Sequence, residues 1–147
     1  MNTSSKFPQL YLRLALGIGF LLPVADRLGW FGPAGQHGVD WGNWDNFTVY
    51  TNTLIPFLNK STASFMGLVA TILELLIAIL FIIGYKVRIA AIVSFLLTLA
   101  FALCMGLFLG YRAPFSYSVF ADSAGSLLLA QVSVYYWGLD HYLSKKM

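Results

Sequence analysis

A single carboxylate, Glu74, stands near the middle of the most apolar stretch of the chain, ASFMGLVATILELLIAILFIIG from Ala63 to Gly84. As a helix, that stretch is long enough to cross a hydrocarbon layer of roughly 30 Å. A charge at that depth is costly and is expected to face a bundle interior, where a partner or a function holds it. The helical spacing agrees. Gly67, Ala70, Thr71, Glu74 and Ala78 fall on one side, and Leu68, Ile72, Leu76, Ile79 and Ile83 on the other. The first side is a packing face and the second a lipid-like surface.

Composition generalises this reading. The 147 residues are 59% hydrophobic and only 10% charged, where a soluble domain carries about a quarter charged residues. The chain is read as one integral membrane domain over residues 1–147, without a separate catalytic module. Its formal charge of +3 is spread thinly, so no nucleic-acid surface is expected. The single cysteine, Cys104, excludes an internal disulfide or a CxxC pair within the chain. Lys6 and Arg13 before an apolar run resemble a signal peptide. No small-residue cleavage site follows Leu22, so that run is read as a retained helix.

Four spans are predicted, at about 9–31, 63–84, 87–109 and 122–139. The first carries Arg13 near its start, Pro23 as a kink and Asp26–Arg27 near its end, with Gly17 as a point of close helix approach. Between the first two spans, Trp44, Phe47, Thr51, Leu54 and Leu58 recur at helical spacing. They predict a short amphipathic helix at the interface, with Asn43 as its N-cap and Pro56 near its end. The third span repeats Ala90, Ser94, Thr98, Ala102 and Gly106 every four residues, a close-packing stripe. The fold class is therefore all-α: a transmembrane four-helix bundle with an additional interfacial helix in the first outer loop. Four spans place both termini on one side, with six basic residues there (Lys6, Arg13, Lys86, Arg88, Lys145, Lys146) against three on the other. By the positive-inside rule that side is cytoplasmic.

Glu74 leads the candidates for chemistry, with Arg13 as the expected partner climbing toward it from the cytoplasmic side. The functional version is a proton-handling carboxylate or the anchor of a polar ligand; the structural version is an ion pair that fixes helix docking. Arg88, Gln131, Thr71 and Thr98 are the remaining polar groups expected to line such a site. At the outer mouth, Asp26, Arg27, Arg112 and Asp122 are expected to form a rim network. His37 with Asp40 and Asp45 has metal-ligand types on a flexible loop and gives no metal assignment. No span contains a histidine, which disfavours haem. Neither a phosphate loop nor a nucleophile elbow is present.

The segments NFTVYTNTLIPFLN, TILELLIAILFIIGYKVRIAA, APFSYSVFADSAGSLLLA and LRLALGIGFLLPVADRLGWFG together resemble the DoxX family of small four-helix membrane proteins. The glutamate of the second span and the proline–SYSVF loop are the most specific parts. The family takes its name from the membrane part of a thiosulfate:quinone oxidoreductase, and animal relatives act in cargo export and receptor assembly. The resemblance implies characteristic charges at Arg13, Glu74 and Arg88, a quinone as the cofactor of any chemistry, and a bacterial inner-membrane location. Expected partners are membrane lipid or quinone, a redox or assembly protein, and a second copy of the chain. Two functions follow. One is a quinone-linked redox subunit in which Glu74 relays a proton and Arg13 tunes it. The other is a non-enzymatic scaffold or assembly factor whose buried charges fix helix packing.

Overall fold

A computed structural model describes residues 6–144 as an all-α chain. Lys145 and Lys146, counted in the charge balance, lie outside the described residues. Helix α1 is Lys6–Arg27, α2 Trp44–Leu54, α3 Lys60–Ile83, α4 Val87–Phe108, α5 Ala113–Ser116, α6 Val119–Ala130 and α7 Leu139–Ser144. Three of them, α1, α3 and α4, are long and apolar enough to cross a membrane. Their outward faces carry the large exposed apolar side chains, among them Ile18, Leu22, Ile72, Leu76, Ile83, Leu96 and Leu103. The chain is an integral membrane protein.

Sequence patterns position the long helices directly. All five residues read as the lipid face of α3 are exposed, while Gly67, Thr71, Glu74 and Ala78 are buried. In α4 the four-residue stripe turns inward, with Ala90, Ser94, Thr98 and Ala102 all buried. Ser94 meets Ser126 of α6 through a hydroxyl–hydroxyl bond of 2.6 Å, and the Thr98 hydroxyl donates to Ser94 O within its own helix. Gly17 lets α1 lie against α3: a Cβ there would stand 3.3 Å from Phe81 Cβ and 3.4 Å from Ala78 O. Phe81, Val87, Ala91 and Leu129 fill the core beside this contact.

Local signals set the helix ends. Asn43 accepts from the Asn46 amide at 2.9 Å and starts α2, and Asn59 does the same for α3 through Thr62. Gly84, in the left-handed region at φ +74, ends α3, and the amides of Gly84 and Tyr85 both return to Leu80 O.

The fourth span departs from expectation. Instead of a continuous helix over 122–139, α6 begins three residues earlier and stops at Ala130 after 12 residues. It is followed by irregular chain and then the short α7. Val132, Val134, Tyr135, Tyr136 and Trp137 are β-branched or aromatic and weak helix formers, and the apolar run disguised that. The Tyr135 hydroxyl donates to Leu129 O at 3.1 Å, a carbonyl that also accepts from the Val132 amide where the helix ends.

Candidate functional site

Glu74 is 3% exposed, and its partner is Arg27 rather than Arg13. The Arg27 guanidinium bonds both carboxylate oxygens, through Nη1 at 2.5 Å and Nη2 at 3.3 Å. Nη1 also donates to the Thr71 hydroxyl at 2.8 Å, and that hydroxyl donates onward to Gly67 O.

Side-chain direction explains the exchange of partners. Every helical Cα–Cβ bond tilts toward the helix N-terminus. Since α1 and α3 run antiparallel, Arg27 leans back along α1 while Glu74 leans the opposite way, and the two converge. Arg13 leans away from Glu74. It lies against Gly84, ten positions beyond Glu74 on α3, which is about 15 Å of helix.

Aromatic groups of α2 and the loop before it cover the pair. Phe47 of α2 stacks its ring 4.0 Å from the guanidinium carbon, and the Trp41 ring centroid lies at 5.1 Å. Phe47 approaches this closely because Gly67 lacks a side chain; a Cβ there would stand 3.1 Å from the Phe47 ring. Trp41 and Trp44 pack edgewise and tilted on Phe47, at 5.4 and 5.3 Å between centroids. The interfacial helix predicted from the sequence is thus the cover of a buried ion pair.

The expected rim network does not assemble. Asp26 turns to its own loop, accepting from the amides of Asp40 (2.9 Å), Trp41 (3.1 Å) and Gly42 (2.9 Å). Gly42 is at φ +65, with Gly32 O only 2.7 Å from where a Cβ would be, so glycine is required at that crossing. Arg27 points inward, and Arg112 and Asp122 are both exposed. His37 and Asp40 are exposed as well, and no group of three or more ligand-type side chains gathers among the described residues.

Arg13 belongs to a second polar centre at the other end of the bundle. It is 1% exposed and donates to the carbonyls of Trp137 (3.0 Å) and Tyr136 (3.4 Å), while Gln9 donates to Tyr136 O as well. The guanidinium fits because Gly84 and Gly138 face it; a Cβ on either would stand 2.8 or 2.7 Å from Nη1. Asp140 completes this end. Its carboxylate accepts from the amides of Lys86 and Val87 at the start of α4, and its own amide donates to Gly84 O. N-cap chemistry normally comes from the residue just before a helix; here it comes from the far end of the chain, which no local pattern signals.

The other sequence candidates are dispersed. Thr71 joins Glu74. Thr98 is buried between α4 and α6, bonded within its helix. Arg88 is exposed near the Arg13 end, 3.5 Å from Val132 O. Gln131, expected in the core or a cavity, is exposed where α6 ends. Two surface hollows are lined by Val49, Asn52, Thr53, Pro56, Lys60 and Phe108, and by Ile83 with residues 137–142; Glu74 borders neither. No protein-family model, curated protein or solved structure matches the chain.

Proposed function

We propose that this chain is a non-enzymatic membrane scaffold or assembly factor in which buried charges fix how the helices dock. One observation carries the reading: the Arg27–Glu74 pair is enclosed by Thr71, Phe47 and Trp41, and every oxygen of the carboxylate is already engaged. A proton relay or quinone anchor needs an oxygen that faces a ligand. A pair bonded on both oxygens instead pins the end of α1 to mid-α3, and it selects one register of two otherwise slippery apolar helices. The second centre, around Arg13, pins the other end. Together they hold a rigid frame whose outer surface is free to meet other membrane components.

By the resemblance to DoxX proteins the frame sits in a bacterial inner membrane, and by the balance of basic residues both termini are cytoplasmic. The shared end of Arg13, Tyr136 and Lys86 supports placing the two termini on one side. The test is native mass spectrometry of gently solubilised protein, wild type beside the double replacement Arg27→Met with Glu74→Leu. The expected result is the same set of small molecules on both. A stoichiometric quinone on the wild type that disappears from the double variant would overturn the scaffold reading.

A further inference from the structure

The first turn of α6 presents a carboxylate, Asp122, to the outside of the bundle. Ser126 bonds Ser94, and the Ser123 hydroxyl lies 3.5 Å from Phe95 O, which fixes α6 against the middle of α4. Asp122, adjacent to Ser123, therefore lies about 12–17 Å in from the start of α4 at Val87. It is exposed, and among the described residues its carboxylate makes no hydrogen bond or ion pair. Its exposed neighbours on α6 are Ala121 and Ala124, with Ser118 one turn before it. A membrane carboxylate normally faces a partner or a water-filled cavity. Glu74 obeys that rule within the chain and Asp122 does not.

We propose that this face of α6 docks a transmembrane helix of a different protein, one carrying a basic side chain at mid-span that pairs with Asp122. Charge complementarity selects the occupant. A second copy has no described cation to offer at this depth: Arg13 and Arg27 are buried and committed, and Lys6, Lys60, Lys86, Arg88 and Arg112 sit at or beyond helix ends. Small residues favour the approach. Ala121, Ala124 and Gly125 leave room for a second backbone to come close, as membrane helix contacts require. The proposal rests on the scaffold reading and names the partner class that such a frame would hold.

The experiment uses the full chain, donor-labelled, in phosphatidylcholine vesicles with acceptor-labelled leucine–alanine transmembrane peptides that differ only at the central residue. The peptide with a central arginine is expected to give half-maximal energy transfer at about tenfold lower peptide-to-lipid ratio than its all-apolar counterpart. Asp122→Asn should erase that preference, and Asp122→Arg should transfer it to a peptide with a central glutamate. Each variant's unfolding midpoint is measured in parallel to show that it is folded. Equal transfer to the arginine and apolar peptides would overturn the proposal. So would energy transfer between labelled copies of the chain that disappears in Asp122→Asn, since the occupant would then be a second copy. Failure of the scaffold reading registers elsewhere, as a quinone retained through Glu74, and leaves the peptide preference unaffected.

Discussion

Replacing Glu74 with glutamine tests the ion pair most directly. The amide is nearly isosteric and keeps one acceptor for Arg27, but it removes the charge that balances a buried guanidinium. Breaking a buried pair by deleting one partner costs about 3–5 kcal/mol, because the remaining charge has no counterion. A membrane frame has a residual advantage, since Thr71 and the Phe47 ring still hold the guanidinium. The lower end, about 3 kcal/mol, is therefore expected for Glu74→Gln. Replacing both partners, Arg27→Met with Glu74→Leu, removes the charges together and should cost less than about 1 kcal/mol. The assay is reversible unfolding of solubilised protein by titration with a denaturing detergent, read by fluorescence of Trp41 and Trp44, which pack on Phe47 over the pair. A control cycle pairs Arg13→Met with Glu74→Gln. Arg13 lies against Gly84, about 15 Å along the helix direction from Glu74, and shares no partner with it, so their effects should add to within about 0.5 kcal/mol. If Glu74→Gln costs under about 1 kcal/mol, or if Glu74 couples to Arg13 more strongly than to Arg27, the argument from side-chain direction is wrong.

Other perturbations follow from the same contacts. Gly17→Val drives a branched side chain into Phe81 and Ala78 O and should cost about 1–3 kcal/mol by separating α1 from α3, measurable in the same titration. Asp140→Ala removes the acceptor for the Lys86 and Val87 amides. It should cost about 1 kcal/mol and speed hydrogen exchange at those two amides while leaving α1 amides unchanged. Tyr50, on the covering helix α2, has its phenol pushed above the usual value near 10, chiefly by burial. Its neutral form is favoured by folding, so this contribution is complete at lower pH and is lost as pH rises through about 10 and beyond. An ultraviolet phenolate titration of wild type against Tyr50→Phe should show one late-titrating tyrosine missing from the variant.

Much of the frame was legible because it depends on periodicity. The lipid face of α3, the inward stripe of α4, the Asn43 cap and the close approach at Gly17 are each set by neighbours three, four or seven residues away. Pairing between helices is another matter. Depth pointed to Arg13 as the partner of Glu74, whereas the antiparallel lean of the side chains selects Arg27. The fourth span misled because hydropathy does not separate an apolar helix from an apolar irregular segment. Val132 to Trp137 carries the lower helix propensity that marks the break. Asp26 was expected at a rim, and nothing in the sequence singled out Asp140. Both instead collect backbone amides from chain 14 to 54 positions away, a role that sequence spacing does not encode.

The clasp around Arg13 also sets an order of assembly. Its guanidinium leaves the ribosome well before its carbonyl acceptors, Tyr136 and Trp137, which follow it by 123 and 124 positions. Until they arrive, the start of α1 carries a cation with no seat in the bundle and stays at the interface, where water can solvate it. Arrival of that segment is thus the event that draws α1 into its final position. A copy that lacks that segment therefore differs from the assembled bundle by an exposed arginine rather than by exposed apolar surface, which lipid conceals.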